Sequence, residues 1–317
     1  MLLRPPRLEP GDTIGLIAPA GPVRSRDAVQ RAIRRLEQLG FRVLTARHLF
    51  QSRGYLAGSD GQRLADLHHF FRHPRLKAIL CARGGYGSAR LIPHLDFDLV
   101  RAHPKIFVGY SDLTALHAAL HTRTGLVTFH GPMAGPDLGQ PDLPEFTLQS
   151  LLRILTQPRA PGSILEPTQR SELRTLRKGR ACGPLLPANL TLLVSTLGTP
   201  YRPDFRGRIL CLEEVGEPPY RIDRMLTQLL HAGLLDQVAG IAIGHCERCS
   251  ADPSRKTKPV DAHLEETWAE CLRPLRKPVL LGLPFGHTRF NATLPWGVRA
   301  ELDASGGDLQ ILEPAVS

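Results

Sequence analysis

The stretch KIFVGYSDLTALHAALHTRTGLVTFHG, residues 105–131, decides how the amino-terminal half folds. Its first six residues, KIFVGY, are apolar almost throughout and show no alternation, as expected of a strand buried on both faces. DLTALHAALHTRTG then reads as a helix stopped by Gly125, and LVTFHG (126–131) is a second apolar run. Strand, helix and strand in that order make a parallel crossover unit. The same rhythm extends toward the amino terminus. TIGLIAPA (13–20), FRVLTA (41–46) and LKAILCA (76–82) are further apolar strands. DAVQRAIRRLEQLG places Val29, Ile33, Leu36 and Leu39 on one helical face, and GSDGQRLADLHHFFRHP reads as a capped helix with Leu64, Leu67 and Phe71 inward. Five strands alternating with helices predict a parallel sheet with helices on both faces.

Residues 131–180 change character. GPMAGPDLGQPDLPEF and TQPRAPGSILEPTQ are rich in Pro and Gly, with one short helix near 145–155 between them. The expected organisation is an α/β domain over 1–150, a linker over 151–180 and a mixed, β-rich domain over 181–317. The second half offers RILCLEEV (208–215), the helix RIDRMLTQLLHAGLL, VAGIAIGH (238–245), a helix near 261–275 and the strand VLLGLP. A hairpin turning at Ser305-Gly306-Gly307 follows.

With 42% hydrophobic and 22% charged residues, the composition is that of a folded globular protein rather than a disordered or fibrous one. The net charge of +10 comes from scattered Arg and Lys without a block of like charge, and no nucleic-acid recognition motif accompanies it. The charge suits an anionic small substrate, so no nucleic-acid partner is expected. The short apolar run Ile14–Ala18 behind Glu9 and Asp12 does not make a signal peptide, and no segment approaches the ~18 apolar residues of a membrane span. A cytoplasmic protein without a membrane partner is expected, and six scattered cysteines suit reduced thiols. His245-Cys246-Glu247-Arg248-Cys249 has ligand-type residues, but it lacks a second pair at a useful spacing, so neither a metal nor a cofactor is expected.

In open parallel sheets, ligands bind beyond the carboxyl ends of the strands. Two turns there carry the chemistry. ARGGYGSAR, after LKAILCA, would let the backbone approach a ligand closely, although it fails the dinucleotide spacing. In Gly109-Tyr110-Ser111-Asp112, Ser111 stands where a nucleophile elbow would hold it, yet Leu113 replaces the second Gly of that pattern and Ser is also a favoured helix cap. A serine nucleophile needs a base and an acid to orient it. His287 in LGLPFGHTR and Glu213 at the end of RILCLEEV are the candidates by position, with a surface loop and a salt bridge to Arg221 or Arg224 as their alternatives.

The residues then match a known pattern. LEPGDTIGLIAPAGPV, ARGGYGSARL, VGYSDLTALH, TFHGPM, NLTLLVSTLGTPY, ILCLEEVGEPPYRIDRMLTQL and LGLPFGHTRFNATLPWG occur in order over nearly the whole chain. They resemble the LD-carboxypeptidases, serine peptidases that include murein tetrapeptide carboxypeptidases and microcin C self-immunity peptidases. The resemblance implies a Ser-Glu-His triad of Ser111, Glu213 and His287, and an oxyanion hole from the backbone N–H groups of Asp112 and Gly85. It also implies hydrolysis of the amide joining meso-diaminopimelate or Lys to a terminal D-Ala in peptidoglycan recycling, and a homodimer. Glu214 stands beside Glu213, and strand alternation lets only one of them meet His287. Many members read Gly-Gly-Asn-Leu where this chain has Pro187-Ala188-Asn189-Leu190, so Asn189 is kept in an altered turn that could line the pocket. A carboxypeptidase also needs a cation for the substrate carboxylate, and Arg83, Arg221 and Arg224 are candidates from position, although Arg224 could instead pair with Glu217. A peptidyl-adenylate amide as substrate, a muropeptide-binding module in which Ser111 only caps a helix, and an unrelated esterase remain as other readings.

Overall fold

The computed structural model describes residues 2–250 and 262–317. The expected amino-terminal strands form as β1 (Thr13–Ile17), β2 (Arg42–Thr45), β3 (Leu76–Cys81), β4 (Ile106–Gly109) and β5 (Phe129–His130). They lie in the order β5-β4-β3-β1-β2, and every adjacent pair is parallel. The expected helices are present as Arg26–Gln38, Asp60–Arg72 and Thr114–Thr124. Ser25 caps the first. Ser59 and Gln62 form a reciprocal capping box on the second, and Gly125 ends the third in the left-handed conformation. The helix Arg26–Gln38 buries Val29 and Leu36 and only half-buries Ile33 and Leu39. Asp60–Arg72 buries Leu67, Phe70 and Phe71. In Thr114–Thr124 every residue from Thr114 to His121 is buried. A helix enclosed all round cannot shift easily, and this one carries Ser111 just ahead of its first turn.

The second sheet contains β6 (Gly162–Ser163), β7 (Arg174–Arg177), β8 (Arg180–Asn189), β9 (Ile209–Val215), β10 (Gly240–Glu247) and β11 (Val279–Gly286). The short β12 (Leu294–Pro295) returns to the first sheet, antiparallel to β5, and the expected hairpin is β13 (Arg299–Asp303) with β14 (Asp308–Ile311). The order of the second sheet is β6-β14-β13-β8-β9-β10-β11-β7, with β8 to β11 parallel and the outer strands antiparallel. The whole is a mixed α/β fold with one parallel-rich and one mixed sheet. The helix expected near 261–275 is observed as Ala262–Leu272, and residue 261 lies outside the described residues.

Residues 151–180, expected as a linker, end the helix Glu145–Thr156 and supply both edge strands of the second sheet, β6 and β7. Strands of two to four residues carry no readable period, so richness in Pro and Gly marks only the breaks around them. β8 was also illegible as a strand, and its Pro187 is tolerated for a visible reason. The ladder to β13 covers Arg180–Pro184 and the ladder to β9 covers Leu185–Asn189, so at Pro187 the strand is paired on one side only. The Pro187-Ala188 departure therefore sits in a buried strand, not in a turn lining a pocket. No helix among the described residues is long and apolar enough to cross a membrane.

Candidate active site

Ser111 follows the last residues of β4 with φ of +65°, in the left-handed region where a residue bearing a Cβ is strained. That conformation decides against the capping reading. The short 3-10 turn Ser111–Leu113 and the helix Thr114–Thr124 both start without a side-chain cap, so the Ser111 hydroxyl is not spent on a helix N–H. The strained turn instead sets the Ser111 side chain against the Gly-rich turn. A Cβ on Gly84 would lie 2.9 Å from Ser111 Cβ and 3.1 Å from its Oγ, so only glycine fits there.

The two turns are tied together by Asp112. Its carboxylate accepts the N–H groups of Ser88 at 2.8 Å and Gly87 at 3.3 Å, while Ser88 Oγ donates to the Asp112 carbonyl at 2.6 Å. From the other side, Arg63, fully buried, donates to the carbonyls of Pro19 at 2.6 Å and Gly87 at 2.8 Å and pairs with Asp60. Gly85 stands at φ +110° against Gly21, and among the described residues its N–H has no partner in the chain.

Across from these turns, β9 and β11 bring Glu213 and His287 together. Glu213 Oε2 accepts both the backbone N–H of His287 at 3.2 Å and its Nδ1–H at 2.5 Å, which leaves Nε2 as the nitrogen able to take a proton. Gly286 makes this contact possible. At φ +93°, a Cβ there would fall 2.5 Å from Glu213 Cβ and Cγ. Asn291 fixes the loop by accepting the Gly286 N–H at 3.1 Å. Burial alone would lower the His287 pKa, but the Glu213 carboxylate outweighs it and holds the imidazole above its ordinary value. Burial alone would raise Glu213, but His287 together with the neighbouring His130 outweighs it and holds the carboxyl below the usual carboxylate range.

Glu214 points to the opposite face, where it accepts from Asn189 Nδ2 at 3.0 Å, from the Thr191 N–H and hydroxyl at 2.8 Å each, and from the Val215 N–H at 2.8 Å. The alternation along β9 thus brings Glu213, and not Glu214, to the histidine. The alternative for Glu213, a salt bridge to Arg221 or Arg224, does not form. Arg221 pairs with Glu217 at 3.2 Å, and both arginines lie exposed beside Tyr220. Asn189 is buried, its Oδ1 caps the helix Leu190–Ser195 and its Nδ2 holds Glu214, so its side chain supports the site from within the core instead of facing a ligand. Arg83 sits beside the Gly-rich turn with its guanidinium donating to Pro22 O at 3.1 Å.

Sequence reasoning missed three groups. Tyr110 packs its ring 4.9 Å from that of His287 and thereby connects the serine turn to the histidine, since Ser111 Oγ makes no direct hydrogen bond to His287. Fully buried His130 stands with Nε2 3.8 Å from Glu213 Oε1, close enough for charge but too far for a hydrogen bond. Asp137, its carboxyl pushed by burial up to about 6, lines a cavity of about 420 Å³ with Tyr110, His287, Asp142, Glu247 and Arg289. His130 was in view in TFHGPM, but nothing in that motif says which strand end it faces.

Residues 14–131 match the LD-carboxypeptidase N-terminal domain, and residues 182–302 match the LD-carboxypeptidase C-terminal domain. The chain is 41% identical to the probable murein peptide carboxypeptidase of Bacillus subtilis strain 168 over 302 residues, covering 95% of this chain and 92% of that one. The crystal structure of muramoyltetrapeptide carboxypeptidase from Oxalobacter formigenes superposes with a TM-score of 0.79 at 32% identity, covering 94% of this chain and 97% of the other. MccF in complex with glutamyl sulfamoyl guanosine superposes with a TM-score of 0.90 at 27% identity, covering 99% of this chain and 100% of the other.

Proposed function

This chain belongs to the LD-carboxypeptidase family, and from that premise we propose that it is a serine carboxypeptidase releasing the terminal D-Ala of murein tetrapeptides. The observation that carries the reading is the pairing of a strained, uncapped Ser111 with a half-buried His287 that a fully buried Glu213 holds by Nδ1, leaving Nε2 free to act as base.

Ser111 Oγ attacks the carbonyl carbon of the diamino acid, meso-diaminopimelate or Lys, as His287 Nε2 takes the hydroxyl proton. Glu213 holds the Nδ1–H tautomer and stabilises the imidazolium. The Gly85 and Asp112 N–H groups donate to the tetrahedral oxyanion. His287 then protonates the D-Ala nitrogen, the C–N bond breaks and D-Ala leaves. Water, deprotonated by His287, hydrolyses the acyl-enzyme and frees the tripeptide and Ser111. For the first step His287 Nε2 must close to hydrogen-bond distance of Ser111 Oγ, a contact that enzymes often complete only when substrate is bound. A cytoplasmic homodimer acting in peptidoglycan recycling belongs to the same reading, and light scattering on the purified protein tests the dimer.

The likeness to MccF, with its sulfamoyl-nucleotide ligand, favours a second reading in which the same residues cleave a peptidyl-adenylate amide. One experiment separates them. Mass spectrometry after incubation with L-Ala-γ-D-Glu-meso-diaminopimelate-D-Ala should find loss of one D-Ala with wild type and none with Ser111→Ala. An intact tetrapeptide together with turnover of an aminoacyl-adenylate amide would instead select the second reading.

A further inference from the structure

Beside the Gly-rich turn lies a second hollow, of about 280 Å³, walled by Val23, Arg24, Ser25, Arg83 and Gly135. Burial disfavours the charge of the half-buried Arg83, and the Arg24 cation beside it disfavours that charge further. Two arginines lining one hollow without a carboxylate partner call for an anion. The chain does not provide it. Among the described residues, neither Arg24 nor Arg83 forms an ion pair, and the nearest acid in sequence, Asp27 in the first turn of the helix Arg26–Gln38, pairs with neither. That helix starts at the hollow, so its positive end adds to the same field.

The position of the hollow suits the proposed chemistry. Arg83 immediately precedes Gly84, the residue in contact with Ser111. The hollow shares Pro136 and Gln140 with the cavity beside His287, so the two adjoin. The two ends differ in charge: Arg24 and Arg83 lie on one side, and Asp137, Glu247 and the Asp142–Arg289 ion pair on the other.

We propose that the Arg24–Arg83 hollow receives the terminal carboxylate of the leaving amino acid, making the enzyme an exopeptidase and fixing the direction in which the peptide lies. This deepens, and rests on, the carboxypeptidase reading above. An internal peptide bond would set a neutral amide against two guanidinium groups without a carboxylate partner, so such substrates are rejected by the charge left unsatisfied. The diamino acid then extends toward His287, where its distal ammonium meets the acidic side of the larger cavity.

The test compares kcat/KM on the tetrapeptide with that on the same peptide ending in D-alaninamide. Wild type should prefer the free acid by roughly 100-fold, the value of two charge-assisted contacts at about tenfold each. Arg24 is exposed, so Arg24→Gln leaves the fold intact and should cut the preference by about tenfold. Arg24→Gln/Arg83→Gln should abolish it, mainly through KM for the acid. A double variant that keeps the wild-type preference overturns the assignment. If wild type cuts neither peptide, the carboxypeptidase reading fails, and the hollow is judged by calorimetric titration of N-acetyl-D-Ala. Binding lost in the double variant upholds the carboxylate site, and no binding to wild type overturns it.

Discussion

At the scale of single residues, the proposed mechanism makes Glu213 and His287 the groups that set the pH behaviour of the site. The base form of His287 is the neutral imidazole, and Glu213 raises its pKa above 6.5. Activity should therefore climb with pH along a limb lying above 6.5. In Glu213→Gln, kcat should fall by roughly four orders of magnitude, because the amide no longer stabilises the imidazolium, and the limb should move to lower pH. A pH profile of kcat/KM for both proteins checks this. An unmoved limb would mean that another group controls the titration. The couple also contributes to stability within a window. The raised His287 contributes fully below 6.5 and loses its part as pH rises through the folded value. The lowered Glu213 contributes fully above 4.5 and loses its part as pH falls through its folded value. The pair is thus most stabilising between 4.5 and 6.5. These two residue types were legible in the sequence as acid and base. The strain at Ser111 was not, since a φ of +65° is imposed by packing against Gly84 and Asp112 and leaves no mark on the residue type.

At the scale of elements, the end of β11 is held on β9 by the absence of a side chain at Gly286. Gly286→Ala adds a methyl 2.5 Å from Glu213 Cβ at a φ that disfavours any Cβ. It should cost about 2–4 kcal/mol in urea denaturation and depress kcat by displacing His287. Gly207→Ala is the matched control. There φ is also positive, at +65°, but nothing lies within 4 Å, so it should cost only about 1 kcal/mol and leave kcat near wild type. Equal losses in the two variants would remove the steric argument. Elements of this length were readable where they were long and periodic: the three amino-terminal helices and the strands from LKAILCA to VLLGLP stand where apolar pattern and caps put them. The edge strands β6 and β7 were not readable, because two to four residues hold their place by pairing with β14 and β11 and not by any local preference.

At the scale of the whole molecule, the halves share one interior. β12, near the carboxyl end, completes the first sheet. The Trp296 N–H donates to Thr128 O and the Gly297 N–H to Leu185 O, so one short segment straps both sheets. Ser317 exchanges backbone hydrogen bonds with Pro5 and Arg7, and the larger apolar cluster runs from Leu8 to Val316. Scanning calorimetry should accordingly record one cooperative transition, and residues 1–150 expressed alone should lack native near-ultraviolet dichroism. Two resolved transitions, or a folded fragment, would restore the view of two independent domains joined by a linker.

The alternation of strands and helices in the amino-terminal half, the turns that bear the serine, acid and histidine, and the family itself follow from the sequence. Period, caps and glycine positions are local properties, and local physics writes them into adjacent residues. The choice of Glu213 over Glu214, the release of Ser111 from any capping role, the removal of Asn189, Arg221 and Arg224 from the cavity and the placing of Arg24 beside Arg83 were decided only in three dimensions. Each depends on which residues from distant parts of the chain share a face once the sheets have packed, and no single segment carries that information.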